Sequence, residues 1–474
     1  MMPLEEENIS QNNDITTATL SKHSHAWATY YKPILRLGVP IAIGQLGVII
    51  MGFADTMMVG HFSTDALAAA SFVNSVFNLI TYMLLGYSYG LTPLISSLVG
   101  RGKKAEAGAT LKYGVACNLL FAIVLMAGLT IVYLNLEHMG QPAEILPLVR
   151  PYFITILVSA FFVALFNCLR QFTDGISETS TGMWVILTGN ALNIIGNYFL
   201  IYGVGPFPRL GLLGAGLSTL SARIVMALIM VVLLLTCKRY AAYREGFKRA
   251  ALSRWHDIVD VNKQSFPISL QMGMESGAFT ASGIMAGWLG ALDLATYQVM
   301  ITLSGLGFLL YYSFGSGITI RVAHFCGQND WTGVRQSGRA GMHILLAMAA
   351  IVSMVFYFLG GFIVKGFTSD PAVIALALTL IFPMVLYQFG DSMQICFANA
   401  LRGTSHVMSM MWIALISYVI VNIPACYLLA FPLGFGIQGL YYSFSIGLFT
   451  AAGLFFYQYF RVLRQSEKAF FTKH

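Results

Sequence analysis

The feature that most constrains this chain is a series of long apolar stretches that recur from one end to the other. A helix of about 20 residues, rising about 1.5 Å per residue, crosses a hydrocarbon layer of roughly 30 Å. The stretches exceed the roughly 10 residues of a membrane-barrel strand and do not alternate polar with apolar residues, which favours helices. Hydrophobic residues make up 57% and charged residues 10% of the chain, which is typical of an integral membrane protein.

Twelve of these stretches are predicted to be transmembrane helices. They span approximately residues 34–60, 66–92, 110–134, 148–172, 182–203, 212–237, 261–290, 294–320, 338–364, 373–400, 407–430 and 436–461. The predicted fold is therefore an all-α integral membrane protein with twelve transmembrane helices.

The net charge of +7 raises the question of a nucleic-acid partner, and the positions of the 27 Lys and Arg residues answer it. If the amino terminus lies inside, Arg150, Arg209 and Lys365 fall in outer loops and Arg223 falls within a helix. The other 23 of the 27 lie in inner loops and tails, which is the bias described by the positive-inside rule. The basic balance therefore indicates an orientation in the plasma (inner) membrane, with both termini cytoplasmic, and implies no nucleic-acid partner.

Several motifs that would point to other classes of protein are missing from the sequence. Residues 1–32 contain no apolar core of a cleavable signal peptide and are predicted to be a disordered cytoplasmic tail. The six cysteines form no CxxC pair and no Cys/His cluster, which argues against a disulfide framework or a zinc site. There is no GxxxxGK[ST] or HExxH motif and no acid cluster with metal-ligand spacing, so neither an ATP-driven pump nor an enzyme is expected.

The two halves of the sequence resemble each other. Matching positions, at differences in residue number of 225 to 229, are Pro40/Pro267, Gly60/Gly287, Leu67/Leu294, Gly102/Gly327, and the segments 87–90/312–315, 193–198/422–427 and 211–214/436–439. Six helices per half give both halves the same orientation, so the repeat is parallel, with a cleft between two six-helix lobes. The predicted domains are an N-terminal tail (1–32), an N-lobe (33–237), a cytoplasmic linker (238–255), a C-lobe (256–462) and a cytoplasmic C-terminal tail (463–474).

Acids inside the membrane mark the candidate chemistry, because a carboxylate near a helix centre costs about 2.5 to 3.5 kcal/mol to insert. Of the 20 Asp and Glu residues, Asp55, Glu275 and Asp391 lie well inside predicted helices. Glu275 and Asp391 belong to the same lobe, where paired carboxylates can share a proton or supply oxygen ligands to Na⁺. Tyr387 lies four residues before Asp391, on the same helical face, and offers a hydroxyl and a π face to a cation. The alternative is that each acid is neutral, hydrogen-bonded and structural.

Three further polar residues are candidates in the N-lobe. Asn193 and Asn197 lie one turn apart in helix 5 and are predicted to provide polar atoms beside Asp55 and to face the substrate cleft. Buried amides also serve as contacts between helices, so a structural role stays open. Arg223 in helix 6 is predicted to balance a first-lobe acid or to line the cleft.

At these residues the chain resembles the multidrug and toxic compound extrusion (MATE) transporters, and within them the NorM-like branch. The resemblance covers about residues 33–462 and rests on an ordered set of motifs. These are "FADTMMVGHFSTDALAAAS" in helix 1, "LRQFTDGISET" after helix 4, "LNIIGNYFLIYG" in helix 5, "ATYQV" in helix 8, "GITIRVAHFCGQND" after it and "ALRGTSH" after helix 10.

The resemblance implies roles for individual residues. It implies that Glu275, Tyr387 and Asp391 form a cation-coupling region in the second lobe, and that Asp55 is the first-lobe acid. Gln298 in "ATYQV" is implied to contact drugs in the cleft. Where the DinF-like branch of the family has a second acid in helix 5, this sequence has an amide, which weakens a proton site confined to the first lobe.

The expected function is that of a secondary antiporter. It would export organic, often cationic, drugs by alternating access while Na⁺ or H⁺ enters, with no cofactor other than the coupling ion, and would act as a monomer in contact with membrane lipid. Two alternatives stay open. A major-facilitator transporter also has two six-helix lobes, but "SLVGRGKKAEAG" lacks the acid of its GxxxDRxGRR signature. A flippase for lipid-linked precursors would need a strongly cationic cleft.

Overall fold

The structure of the chain is a computed structural model that describes residues 26–139, 142, 144–251 and 255–471. The predicted tail up to residue 25 and residues 252–254 of the predicted linker lie outside the described residues. Within the described ranges the chain forms helices and connecting turns, with no β-strand. Long helices are present at all twelve predicted positions.

The long helices are numbered α1 to α12 in chain order. Their bounds are α1 Trp27–Phe62, α2 Thr64–Gly100, α3 Lys104–Leu134, α4 Leu146–Gly175, α5 Thr179–Tyr202, α6 Leu212–Thr236, α7 Trp255–Leu289, α8 Ala291–Gly327, α9 Trp331–Phe367, α10 Pro371–Thr379 and Ile381–Gly403, α11 Met408–Ala430, and α12 Gly436–Phe471.

By length and composition, ten of the described helices are able to cross a membrane singly, and the two parts of α10 make an eleventh span if taken together. The twelfth, α7, has 35 residues but is less apolar, because it contains Glu275 and a run of glycines and serines. Its composition reflects its position, since one face of α7 lines a cavity rather than lipid or core.

Helix α10 is bent by 52° between its two parts. Proline explains the break, because Pro383 has no N–H to donate and its ring clashes with the carbonyl four residues earlier, at Thr379. The first part begins with Pro371 in its first turn and with the Asp370 side chain accepting a hydrogen bond from the Ala372 N–H at 2.8 Å. The second part carries Tyr387 and Asp391 into the protein.

Helices extend past several of the predicted domain boundaries. The predicted linker contains a 3-10 turn, Lys238–Tyr240, and a short helix, Ala241–Arg249. Helix α1 begins with a π-helical turn, Trp27–Tyr31, inside the predicted N-terminal tail, and α12 continues to Phe471 inside the predicted C-terminal tail. Boundaries set by hydropathy stop where the apolar run stops, whereas backbone hydrogen bonds continue a helix through polar residues beyond the membrane.

Helices α1–α6 and α7–α12 form two lobes, which meet mainly where α1 packs on α8 and where α2 packs on α7 and α8. Smaller contacts join α3 to α7 and the first turn of α1 to α9. Small residues allow the close approach. A side chain on Gly86 or Gly90 of α2 would overlap Ser269 or Ser265 of α7. The Ser269 hydroxyl donates to the Met83 carbonyl at 2.8 Å, which adds a hydrogen bond across this contact.

The most basic connections lie at one end of the bundle, here called the basic end. The turn between α2 and α3 carries Arg101 and Lys103, and the linker helix Ala241–Arg249 packs against the start of α3. The contact is close, since a Cβ on Gly108 would overlap the Tyr243 carbonyl. The α7–α8 turn at Gly290, with φ 145°, lies at the opposite end.

Candidate functional site

A cavity of about 630 Å³ lies between the lobes, with walls from α2, α7, α8 and the second part of α10. It extends to Gly287 and Leu294 beside the α7–α8 turn, at the end opposite the basic end. Its chemistry is mostly apolar and aromatic with a few polar groups. The residues that carry this chemistry are Asn78, Tyr82, Glu275, Phe279, Gln298, Phe308 and Tyr387.

Glu275 is the one acid on the cavity wall among the described residues, and no Lys or Arg accompanies it there. Gln271, one turn earlier in α7, donates from Nε2 to Glu275 Oε2 at 3.3 Å. The Tyr418 hydroxyl also faces Glu275, without reaching hydrogen-bonding geometry. Tyr418 lies in a π-helical stretch, Leu415–Asn422, which widens α11 locally.

Asp391 lies behind the cavity wall and is 1% exposed. Its neighbours include Glu275 and Tyr387. The Glu275 and Asp391 carboxyl groups are close enough to interact electrostatically with each other and with the Tyr387 hydroxyl. Within the described part of the chain, the Asp391 Oδ2 atom has no hydrogen-bond partner. A buried carboxylate oxygen without a partner is costly, so this position suits a proton or a bound cation.

Tyr387 joins these two acids to the cavity. It is 3% exposed, yet its side chain reaches the cavity wall one helical turn before Asp391. Its ring makes edge contacts with Phe279, at a centroid distance of 6.4 Å, and with Phe444, at 6.2 Å. The structure therefore brings Glu275, Tyr387 and Asp391 together.

Asp55 lies in a separate polar cluster within the N-lobe. Asn197 donates from Nδ2 to Asp55 Oδ1. Asn193, with its amide nitrogen turned toward the acid, donates to the same oxygen at 2.7 Å, and its amide oxygen accepts from the Thr219 hydroxyl at 3.1 Å. Both amides are fully buried. Asp55 thus acts as an acceptor for two fixed donors.

Arg223 of α6 is close enough to influence Asp55 electrostatically, while its Nη1 donates to the Ser159 hydroxyl at 2.5 Å. Neither Arg223 nor the amides Asn193 and Asn197 line the cavity between the lobes. The four predicted cleft residues therefore lie in two places. Gln298 is exposed on the cavity wall, whereas Asn193, Asn197 and Arg223 surround Asp55.

Four residues near the acids were not selected from the sequence. Gln271 and Tyr418 are neighbours of Glu275, and Asn78 and Tyr82 of α2 line the cavity opposite it. Gln271 had a readable signal, since it lies four residues before Glu275 on the same helical face. The α2 residues had none, because the faces of α2 and α7 meet only in the folded protein.

No group of three or more His, Cys, Asp or Glu side chains converges within the described ranges. A polyvalent metal centre is therefore not built by side chains in this part of the chain. Carboxylate oxygens such as those of Glu275 and Asp391 can bind a small monovalent cation or hold a proton.

Comparison with known proteins agrees with this architecture. The chain is 27% identical over 433 residues to "Probable multidrug resistance protein NorM" of Photorhabdus laumondii, covering 90% of this chain and 94% of the relative. It is 29% identical over 445 residues to "Multidrug resistance protein NorM" of Photobacterium profundum, covering 90% and 94%. A solved structure of the outward-facing conformation of a multidrug resistance MATE family transporter matches with a TM-score of 0.83 at 18% identity, covering 92% of this chain and 97% of that one.

The model of the MatE family matches residues 40–199 and 267–428, one segment in each lobe. The two matched segments together cover more than half of the chain, and they contain Asp55, Glu275 and Asp391. On this basis, the chain belongs to the MatE family.

Proposed function

We propose that this protein is a secondary antiporter that exports organic, often cationic, drugs while Na⁺ or H⁺ moves inward. Its family is one of transporters rather than enzymes, and the relatives cited above are named as multidrug resistance proteins. The observation that carries the proposal is the contact between two sites. One is a cavity between the lobes, and the other is a buried acid with an unpartnered oxygen directly behind the cavity wall.

The size and lining of the cavity support organic cations as substrates. A volume of about 630 Å³ lies in the range of pockets that hold drug-sized molecules. Aromatic faces and one acid attract a delocalised cation through its charge and its apolar surface. The same lining disfavours lipid-linked precursors, whose phosphates would require basic side chains, and the described wall has none.

Coupling to an ion is proposed to occur at Glu275 and Asp391, with Tyr387 between them and the cavity. If the ion is Na⁺, both carboxylates are ionised and provide oxygen ligands. If it is H⁺, the two acids hold one proton between them. In either case ion binding and drug binding favour different arrangements of the lobes, and the ion gradient drives the exchange.

The membrane orientation is proposed from the basic loops: multi-pass in the inner membrane, both termini cytoplasmic. The test uses a cysteine introduced at Lys103 or at Lys248 and an impermeant maleimide applied to intact cells. Neither position should be labelled until the membrane is permeabilised, and a cysteine introduced at Gly205, in the α5–α6 turn, should be labelled without it. Labelling of the first two positions in intact cells would reverse the orientation.

The function itself is tested with purified protein in liposomes. Ethidium accumulation inside the liposomes is followed while an outward Na⁺ gradient or an outward H⁺ gradient is imposed separately across the membrane. An antiporter moves ethidium uphill under at least one gradient, and the effective gradient identifies the coupling ion. Ethidium movement that ignores both gradients would contradict ion-coupled transport.

A further inference from the structure

A second polar cluster lies between the lobes, between the drug cavity and the basic end. On α2, α8 and α10, cavity residues come first in the sequence and cluster residues follow. Tyr82 precedes Tyr89 by seven residues, which is about 10 Å along a helix. The same order holds from Phe308 to Tyr312 and from Tyr387 to Arg402. The cluster therefore blocks the continuation of the cavity toward the basic end.

The cluster contains three almost fully buried charged residues. Arg170 and Asp174 of α4 are 6% and 2% exposed, and Arg402 of α10 is 3% exposed. Arg170 Nε lies 3.7 Å from Asp174 Oδ2. Asp174 and Arg402, which come from different lobes, line the same small space of about 10 Å³. This space is about large enough for one water molecule.

Aromatic rings complete the contact across the lobes. The Tyr89 ring of the N-lobe lies 5.6 Å from the Arg402 guanidinium and 5.3 Å from the Tyr312 ring, both of the C-lobe. Arg402 Nη1 approaches the Tyr312 hydroxyl at 3.1 Å and Asn399 Oδ1 at 3.2 Å. A buried guanidinium over a tyrosine face is a favourable contact, and here it spans two bodies that separate during alternating access.

The internal repeat relates the two charged positions to each other. The segment "LRQFTDG", 169–175, corresponds to "FANALRG", 397–403. The Thr92 hydroxyl donates to Gln171 Oε1 at 2.7 Å, and the Thr319 hydroxyl donates to Asn399 Oδ1 at 3.0 Å, so the hydrogen bonds are repeated as well.

Within these matched segments Asp174 is equivalent to Arg402. Both residues line the small space between the lobes, so an acid from one lobe and a base from the other share it. Both lobes thus carry a charged residue at the equivalent position, and the two charges have opposite signs.

Toward the basic end, the ends of α2 and α8 cross directly behind the cluster. A Cβ on Gly100 would overlap the His324 carbonyl, and a Cβ on Gly327 would overlap the Ser97 carbonyl. The two contacts are related by a difference of 227 in residue number, so the structure pairs Gly327 with Gly100 rather than with the predicted Gly102. The crossing closes the path between the lobes in this conformation.

The cluster is incompletely satisfied. Asp174 Oδ1, Arg170 Nε and Arg402 Nε are buried without hydrogen-bond partners in the described part of the chain. Unsatisfied buried charges weaken the closed arrangement, and water that enters on opening would satisfy them. The closed and open states are thereby kept close in free energy, which a transporter that alternates between two states requires.

We propose that Tyr89, Asp174, Tyr312 and Arg402 form an inter-lobe latch, which holds the basic end closed while the cavity is open at the other end and breaks when the protein turns inward. This proposal rests on the alternating access of the proposed function. It adds positioning residues that contact neither the drug cavity nor the pair Glu275 and Asp391.

The test measures how easily the basic end opens. Ser316 lines the small space beside the latch, and Ser316→Cys provides a thiol there. Everted vesicles, which expose the basic end, are treated with an impermeant maleimide, and labelling of the introduced thiol is quantified by peptide mass spectrometry. Asp174→Asn, Arg402→Gln and Tyr89→Leu each remove one side of the latch, and each should raise the labelling rate about tenfold by shifting the lobes toward the open state.

The matched control is Arg335→Gln. Arg335 forms an ion pair with Glu467 at 2.6 Å, but both residues belong to the C-lobe, so its loss should leave the labelling rate unchanged. The latch is refuted if labelling stays at the parental rate in all three latch variants with normal membrane insertion, or if Arg335→Gln raises it equally. Because labelling requires neither drug nor gradient, a failure of ethidium transport in liposomes would overturn the antiport proposal and leave this measurement standing.

Discussion

The two lobes descend from one repeat and pack alike, yet they place their acids at different positions. Asp55 of the N-lobe is equivalent to Ser282 of the C-lobe, and Asn197 to Cys426. The contact between each pair is retained: Asn197 donates to Asp55, and the Ser282 hydroxyl lies 3.2 Å from the Cys426 sulfur. The repeat therefore preserves a polar helix contact at this position, and only the N-lobe makes it charged.

The acids of the C-lobe show the reverse. By the same offsets, Glu275 corresponds to Val48, and Asp391 to Val163. Asp55 receives two amide hydrogen bonds, whereas within the described ranges one Asp391 oxygen has no hydrogen-bond partner. The two carboxylates therefore differ in their surroundings: amide donors of the protein already bind Asp55, whereas an oxygen of Asp391 has no donor among the described residues.

The largest expected effect is in the C-lobe. Asp391→Asn keeps the shape of the side chain and removes the charge, and loss of one member of a buried charged site costs about 3 kcal/mol or more. That is about 100-fold in ion affinity, so gradient-driven ethidium export in liposomes should collapse, while ethidium binding to the purified protein persists. Asp260→Asn in α7 is the control, because Asp260 is exposed and pairs with His256. Normal gradient-driven export by Asp391→Asn would end the proposed ion site.

The next effect concerns the coupling between the two C-lobe acids. Glu275→Gln should reduce gradient-driven export about as strongly as Asp391→Asn, and the double variant should be little worse than either, because both changes disable one site. The same export assay, performed on the two single variants and the double, measures this. Multiplicative losses in the double variant would show two independent sites instead.

A smaller effect is expected for the N-lobe acid. Asp55→Asn removes a charge that is partly exposed and already satisfied by amides, so export should fall about tenfold, with normal expression and with ion dependence retained. Asp65→Asn, the same change at an exposed position in the first turn of α2, should have little effect. If Asp55→Asn abolishes export as completely as Asp391→Asn does, the contrast between the lobes is wrong.

The smallest effect is on stability. Asn197→Ala removes one buried donor to Asp55 and should lower the free energy of unfolding by about 1 kcal/mol, with most of the transport retained. Thermal unfolding of the purified variant measures this, with Thr188→Ala on α5 as a control, because Thr188 is exposed and donates only to the backbone of its own helix. An unchanged unfolding temperature would mean that the amide contributes nothing to the N-lobe cluster.

Much of the architecture was readable from hydropathy, because the cost of exposing backbone polar groups to lipid forces long apolar runs to be helices. Helix α7 shows the limit of this signal. The apolar run of α7 was recognised by its position and length, although Glu275 and several glycines lower its mean hydropathy. The reason for this lower hydropathy lies in the folded protein, where the polar face of α7 lines the cavity. The bend in α10 is similar, since Pro383 permits a break but does not set its angle.

The candidate site was predicted in its parts and not in its arrangement. An acid in an apolar run is conspicuous because its insertion into the membrane is costly. Asp55, Glu275 and Asp391 could therefore be selected from the sequence without knowledge of any tertiary contact. Asn193 and Asn197 were predicted to lie beside Asp55 and to face the cleft, and the structure places them beside Asp55 as donors and away from the cavity wall. A single sequence cannot distinguish the two uses of a buried amide, because both require the same residue at the same helical spacing.

The sequence alone therefore determined that the protein lies in a membrane, where its helices are and that its halves repeat. It also marked the acids whose insertion into lipid is costly. Each of these depends on local composition and on the free energy of transfer to lipid. Tertiary structure decided which of those residues meet. It placed Glu275 and Tyr387 on the cavity with Asp391 behind them, closed the Asn193 and Asn197 amides around Asp55, and set Asp174 beside Arg402 across the lobes. Those contacts join residues far apart in the chain, so they depend on the packing of whole helices, which no local pattern encodes.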